Sequence, residues 1–540
     1  MDKIKFTPLG GLGEVGKNLL IFKINNKSYL IDAGIKFSLD DEIDYILPDL
    51  EILENKQKEI SGIFITHGHE DHVGALSKLS FLKVPIYCPP MAAEIIRKKL
   101  YKDEEKFLEI VQTNKPYRFE GFKITWFPVV HSIPDSCGLI IQTKELNIVH
   151  TGDFRFDDKP VFGKNTNFES VNKLINKKCD LLLSDSTNSL ISDSQFSERE
   201  VEKTFIRLFE KNKKIIVCSF ASQISRLQIA INAAKKYDKK IVLLGTTLRK
   251  NLSITKRLNI LSGYDEVIAT KNQVKNLDKG KVIYFVTGSQ GEEFSVLNRL
   301  SKKNYNDLIL EKNDEILMSS SVIPGNEEKV FNVIHRLQAL GANVTFNSQE
   351  NKLHVSGHSP QEDLSNVIKI LKPKNFIPIH GNEAMLNSHK KIALESGVKK
   401  DNIFVLSNGD NLELTDSKAK LLNKTKVIDE VVLRQEFNHN QKNKSVKKIS
   451  YDNLISIINI INISKDLFEI KPFVKIFGTT NNIKIETFLE KNIIDNKDFS
   501  SIYNLQGWDK ITEQFNQKIY KLILTEFNKK YLIKTIFIEK

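Results

Sequence analysis

The chain has 540 residues, of which 40% are hydrophobic and 9% aromatic, so it carries several globular cores and is too apolar for a disordered polymer. Lys and Arg outnumber Asp and Glu by 80 to 67, a net charge of +13 that favours a polyanionic partner over an acidic or neutral one. The cysteines Cys88, Cys137, Cys179 and Cys218 stand far apart with no CxxC pair, which excludes a disulfide framework and a thiolate metal site. No run approaches the roughly 18 apolar residues of a membrane span and the N-terminus lacks a leader pattern, so a cytoplasmic protein without a membrane partner is expected.

In chain order, short β-rich runs are predicted at Tyr29–Asp32, Ile63–Thr66, Ile124–Val130, Ile148–His150 and Leu181–Leu183. More follow at Ile215–Cys218, Ile241–Leu244, Val282–Val286, Ile316–Met318, Phe376–Ile379 and Ile403–Leu406. Helical periodicity lies between many of them, as at Val201–Glu210 and Ser225–Lys236, which makes the class α/β. Several early strands follow one another without a helix, as packed sheets require. The stretch from about 205 to 340 alternates strand and helix regularly and reads as an insertion into a domain that resumes after it. From 424 to 448 the chain is charged and Asn-rich, as in a linker, and 449–540 has its own apolar pattern.

Directly after the strand at Ile63 comes Thr66-His67-Gly68-His69-Glu70-Asp71-His72-Val73-Gly74. A single histidine beside a strand is usually a satisfied polar residue. Three histidines and an aspartate within six residues, in a chain holding only 11 histidines, point instead to a metal site of imidazole and carboxylate ligands. His67 and His69 can face one ion while Asp71 and His72 reach a second. His131, Asp153 and His380 each stand at a strand end and complete a set of seven, with Asp153 placed to bridge two ions about 3.5–4 Å apart. Gly11, Gly13 and Gly16 spell GxGxxG, but the apolar run Leu19-Leu20-Ile21-Phe22 after them reads as a strand, so a turn and not a dinucleotide loop is expected.

These residues, with HSIPDS from His131, TGDFRFD from Thr151, LSDSTN at 183–188, TGSQGE at 287–292, SSSVIPGNE at 319–327, HVSGHSPQEDL from His354 and IPIHGN ending at Asn382, resemble the β-CASP branch of the metallo-β-lactamase superfamily, and within it the ribonuclease J family. The resemblance covers about residues 5–415. It implies an α/β metallo-β-lactamase αββα sandwich (1–204 and 343–423) with an inserted α/β β-CASP domain (205–342) and, after the linker, a small α+β C-terminal domain used for oligomerisation. It implies two divalent metal ions, zinc first with manganese or magnesium as alternatives, held by His67, His69, Asp71, His72, His131, Asp153 and His380. Asp71, Asp185 and His358 take catalytic roles, Asp185 orienting the site and His358 assisting the leaving oxygen. His354, Ser356 and Gly357, with Ser222 across the cleft and Arg226 nearby, would form a pocket for an RNA 5′ phosphate, and Phe37 would stack on a base. The implied activity is hydrolysis of single-stranded RNA, 5′→3′ from monophosphorylated ends and also internally, in RNA decay and maturation. A homodimer or homotetramer and an RNA-degradation complex are the implied assemblies.

Ser225, Thr246 and Asn382 depart from the family pattern, which bears on substrate preference and not on the reaction. Arg249, Lys250 and Arg257 are candidate backbone contacts, or simply a solvated helix face. Three rivals stay open at this level. One is a small-molecule metallohydrolase of thioesterase or lactonase type, another a non-catalytic RNA-binding subunit, and the third a DNA-repair nuclease of the β-CASP branch.

Overall fold

The computed structural model describes residues 2–38, 43–193, 195–211, 213–323 and 325–433, together with the strands and helices that lie beyond 447. The chain forms two compact units, Met1–Leu39 with Leu50–Val427, and Asp40–Asp49 with Ile428–Lys540.

Two sheets build the first half of the large unit. The strands Lys418–Leu421, Leu412–Thr415, Lys3–Gly10, Leu19–Ile24, Lys27–Ile31, Ile60–Phe64, Ile86–Cys88 and Leu108–Ile110 are neighbours in that order in one. Pro116–Phe119, Phe122–Pro128, Cys137–Gln142, Asn147–His150, Leu181–Asp185 and Asn375–Ile379 form the other. Alternation within each strand divides the side chains between layers. Leu139, Ile141, Leu181 and Leu183 point to the interior shared with Phe6, Phe22, Phe64 and Trp126. Ile140, Val149, Leu182 and Phe376 point the other way, into a core completed by Phe168, Leu364, Ile368 and Ile392 of the helices Phe168–Leu174, Gln361–Leu371 and Glu383–Glu395. Strands buried on both faces are continuously apolar, which is why these runs were legible.

The inserted domain follows the same logic. Its five strands, all parallel, run in the order Lys240–Leu244, Val282–Val286, Ile215–Cys218, Glu315–Met318 and Asn343–Thr345. One face packs Val217, Leu243 and Phe285 on the helices Glu198–Phe209 and Ile224–Lys236. The opposite face packs Val242, Val286 and Ile316 with Val296 and Val333 of Val296–Ser301 and Glu327–Ala339. Val201 and Phe205 sit in the first of these cores, so the unit expected over 205–342 takes in the helix from Glu198 and, at its other end, the edge strand Asn343–Thr345.

The insertion is flanked by adjacent strands. Leu181–Asp185, just before it, pairs in parallel with Asn375–Ile379, just after it, so that Asp185 lies opposite Ile379. Residues almost 200 apart in sequence are thereby brought to one sheet edge.

Two expectations need correction. Ile403–Leu406 is not a strand: a single bridge joins Ile403 to Phe376, and Ile403 and Leu406 are buried without forming a ladder. The stretch expected as a linker contains the strand Glu430–Leu433, which pairs antiparallel with Ile43–Leu47 and with Lys448–Ser450; 434–447, within that stretch, lies outside the described residues. The smaller unit also holds the antiparallel pair Asn453–Ser464 and Leu467–Gly478, the strand Leu532–Glu539 parallel to the first of these, and the helix Trp508–Phe527.

Candidate metal centre

The strand Ile60–Phe64 ends just before His67, and the loop Thr66–His69 turns into the short helix Glu70–Val73. The turn is tight because other backbone presses on it. A Cβ on Gly34 would lie 1.6 Å from the Asp71 carbonyl oxygen, so the chain after Ile31 passes against the ligand helix as only glycine allows. His380 enters from the far side of the insertion with φ +55, a left-handed conformation rare for a residue with a Cβ.

Two groups of donors hold the seven expected ligands, His67 with His69 and His131, and Asp71 with His72, Asp153 and His380; a third shares Asp153 and His380 with Asp185 and His358. In the first, His67 Nε2 and His131 Nε2 each lie 3.1 Å from His69 Nδ1. In the second, His72 Nε2 is 3.2 Å from Asp153 Oδ2, and His380 Nε2 is 3.2 Å from Asp71 Oδ2. Asp153 Oδ2 also lies 3.6 Å from His67 Nε2 and 3.8 Å from His131 Nε2, between the groups. All seven residues expected as ligands therefore converge.

The other ring nitrogens are occupied, which fixes the rings. His72 Nδ1 is 2.8 Å from Asp32 Oδ2, and His131 Nδ1 donates to the Gly357 carbonyl at 2.8 Å. Thr66 Oγ1 meets His67 Nδ1 at 3.0 Å, and Thr187 Oγ1 meets His380 Nδ1 at 2.6 Å. Such outer contacts select the tautomer whose free lone pair faces inward.

Burial pushes His69 down to about 4 and His131 down to about 3, and carries His67 well below its ordinary value, so this trio is neutral at pH 7. Burial also opposes charge on His72 and His380, but there the carboxylates win, with Asp153 foremost at both, and raise both rings. Asp71 and Asp153 stay ionised against the burial cost because of the same histidines.

This donor set fits two divalent ions. Ligand atoms about 2.1 Å from a tetrahedral zinc stand about 3.4 Å apart, close to the separations found in the histidine trio. Imidazole and carboxylate without thiolate suit zinc or manganese, and an ion would displace the protons that now hold the second group together.

Beside the ligands, His358 Nδ1 donates to Asp185 Oδ2 at 2.7 Å. Against burial, Asp185 raises His358, and His358 with His380 lowers Asp185. The His358 ring lies 5.0 Å from that of His131 and 5.4 Å from that of His380, beside the candidate metal centre. His354 is buried, with Nδ1 3.4 Å from Gln223 Nε2.

Chain comparisons fit this geometry. Residues 12–219 match the model of the metallo-β-lactamase superfamily, 212–337 that of the ribonuclease J β-CASP domain, and 344–405 that of the Zn-dependent metallo-hydrolase RNA specificity domain. The protein named ribonuclease J 1 of Streptococcus pyogenes is 35% identical over 420 residues, covering 76% of this chain and 75% of that one. The chain belongs to the ribonuclease J family. A ribonuclease J of Helicobacter pylori is 36% identical over 419 residues, and this chain spans only 60% of its length. A solved structure of a protein of unknown function from Enterococcus faecalis covers 76% of this chain and all of its own, with a TM-score of 0.50 at 16% identity, a likeness of fold alone.

Against the sites that the ribonuclease J resemblance implied, three residues stand apart. Phe37 is 63% exposed in the short strand Lys36–Phe37. Ser222 is half-buried just before the helix Ile224–Lys236. Arg226, expected at an RNA contact, is fully buried with Nη1 on Glu198 at 2.8 Å, while Nε and Nη2 meet no acceptor. Sequence reasoning gave no role to Asp32, Thr66, Asn18, Thr187 or Asn188. Asp32 only closes the run predicted at Tyr29–Asp32, and Thr187 and Asn188 stand two and three positions after Asp185 in the LSDSTN string. Asn18, whose Nδ2 reaches the Asp71 carbonyl at 3.1 Å and His72 Nε2 at 3.1 Å, carried no signal beyond the glycine-rich turn before it.

Proposed function

We propose that the chain is a two-metal ribonuclease that degrades single-stranded RNA 5′→3′ from monophosphorylated ends and also cuts internally, in RNA decay and maturation. The observation that carries this reading is the Asp185–His358 pair placed beside a seven-residue double metal site. A small-molecule hydrolase needs the ligands alone; a buried acid and a histidine facing the same centre supply what phosphodiester cleavage needs in addition, a hydrogen donor for the departing oxygen.

Two divalent cations at His67, His69, His131, Asp71, His72, Asp153 and His380 would lower the pKa of water and offset charge on the phosphoryl oxygens. Asp71 orients the attacking water and accepts its proton. The water oxygen bonds to phosphorus, the bond to the 3′ oxygen breaks, and His358 supplies hydrogen from Nε2 to that oxygen while Asp185 fixes Nδ1. The released nucleotide keeps a 3′ hydroxyl and the remaining strand a 5′ phosphate. His354, Ser356 and Gly357 with Ser222 would receive that phosphate, the buried Arg226 adding positive charge behind them, and Phe37 offers an exposed ring for stacking. A homodimer or homotetramer in the cytoplasm, alone or in an RNA-degradation complex, is the assembly that accompanies this reading. Among the described residues no helix is long and apolar enough to cross a membrane.

The test is digestion of end-labelled single-stranded RNA bearing a 5′ monophosphate or a 5′ triphosphate, with zinc, manganese or magnesium and Asp71→Ala as control. Mononucleotides from the monophosphate substrate, absent in the control, are expected. Internal fragments from both substrates would remove the 5′-end preference, and no cleavage with any ion would overturn the reading.

A further inference from the structure

Residues between the strand Asn343–Thr345 and the helix Gln361–Leu371 form neither helix nor strand. The segment that carries His354, Ser356 and His358 is therefore held by side chains, not by a ladder. Gly357 offers its carbonyl to His131. The His358 carbonyl accepts two carboxamide donors, Asn188 Nδ2 at 2.9 Å and Gln195 Nε2 at 2.8 Å. Asn188 Nδ2 also meets Ser356 Oγ at 2.9 Å. Because a carbonyl only accepts, the Asn188 amide is oriented with its nitrogen inward, and its two hydrogens serve His358 and Ser356 at once. Ser356 Oγ accepts a second contact from the His358 N–H at 3.3 Å, which leaves the serine hydrogen free to donate outward.

Asn188 stands on a rigid frame. Thr187 N and Oγ1 donate to Asp185 Oδ1 at 3.0 and 2.8 Å, Ser186 Oγ meets His389 Nδ1 at 3.0 Å, and Ser189 Oγ donates to the Met385 carbonyl at 2.6 Å. The Ser189 carbonyl in turn accepts from Gln361 and Ser388. The turn is thus fixed to the strand ending at Asp185, the partner of His358, and to the helix Glu383–Glu395, which begins three residues after His380.

We propose that Asn188 is a positioning residue that fixes the distance between the terminal-phosphate pocket at Ser356 and the leaving-group histidine His358, and so sets the one-nucleotide register of cleavage. This rests on the 5′-exonuclease reading above. One amide spans the two functions: without it, Ser356 keeps only its 3.3 Å contact with the His358 N–H, and a terminal phosphate can seat with more than one phosphodiester in reach of the metals.

The experiment uses the full chain loaded with metal, on 5′-monophosphorylated RNA labelled along its length, with the first products resolved by size under single-turnover conditions. Asn188→Ala and Asn188→Ser are compared with Gln195→Ala, which removes only a contact to His358, and thermal melting checks folding. Wild type is expected to release mononucleotides. The Asn188 variants should slow cleavage about 10- to 100-fold and shift a substantial fraction of first products to two or more nucleotides; Gln195→Ala should slow cleavage and keep the register. Folded Asn188 variants that release mononucleotides alone, slower or not, overturn the assignment, as does a register shift in Gln195→Ala equal to theirs. A wild type that cleaves without releasing mononucleotides fails the 5′-end reading itself.

Discussion

Asp32 shows what a single residue contributes when its partners lie far along the chain. It ends the strand Lys27–Ile31 with φ +59, and its Oδ1 receives the Thr66 N–H at 2.8 Å while Oδ2 receives His72 Nδ1 at 2.8 Å. One carboxylate therefore ties down the start of the ligand loop and the tautomer of its last histidine. Replacing it with asparagine keeps the shape and one acceptor, and removes the charge and the second acceptor. Asp32→Asn is expected to weaken metal binding about 10- to 100-fold, measured by competition for zinc with a chromophoric chelator; unchanged affinity would mean that His72 is oriented without it. The cluster from His67 to His72 was legible because its members are local, and a histidine-poor chain makes the pattern stand out. The partners Asp32, Asn18 and Thr187 were not, since their roles depend on residues 40, 54 and 193 positions away.

At the scale of elements, legibility followed burial. Ile215–Cys218, Val282–Val286 and Ile316–Met318 are covered on both faces, so their sequences are unbroken apolar runs. Ile403–Leu406 is equally apolar and buried at Ile403 and Leu406, but burial without a ladder looks the same in sequence. Ile43–Leu47 escaped notice because its partner, Glu430–Leu433, comes almost 400 residues later. The helix Gln361–Leu371 offers a test of an element's own electrostatics. Asp363 lies in its first turn, where the helix dipole favours a carboxylate, yet burial first and then Glu362 push it up to about 6 from an ordinary 3.8. A raised acid is protonated in both folded and unfolded states below about pH 4, so it costs nothing there; the cost develops as pH rises toward 6 and persists above. Asp363→Asn should accordingly melt with the wild type near pH 4 and about 2 °C above it at pH 7.5, a gain of about 1 kcal/mol or less once solvent screening of this half-buried group is counted. A variant that melts lower at neutral pH would show that the carboxylate stabilises the helix after all.

For the molecule as a whole, the question is what the net charge of +13 does. Much of the surface Lys and Arg is already engaged with acids, as in Lys99 with Glu70 at 2.7 Å, Lys235 with Glu266 at 2.7 Å, and Arg257 with Glu94. Exposed pairs of this kind contribute about 1 kcal/mol or less to the fold, and each removes a cation from the field an RNA strand would meet. Arg257 is the clearest case: it was a candidate phosphate contact, yet its guanidinium joins the inserted domain to Glu94 of the helix Pro90–Arg97. Binding should therefore involve fewer phosphates than the excess of cations suggests. With Asp71→Ala protein and a fluorescent single-stranded RNA of about 12 nucleotides, the logarithm of affinity should fall linearly with the logarithm of salt, with a slope of about −3 to −4, or about 4–6 phosphates at roughly −0.7 each. Charge reversal at Glu94 should then do two things at once: weaken the tie between the inserted domain and the sandwich, and free Arg257, steepening the slope by about 0.7. A flat salt dependence would remove the charge excess from any part in RNA binding.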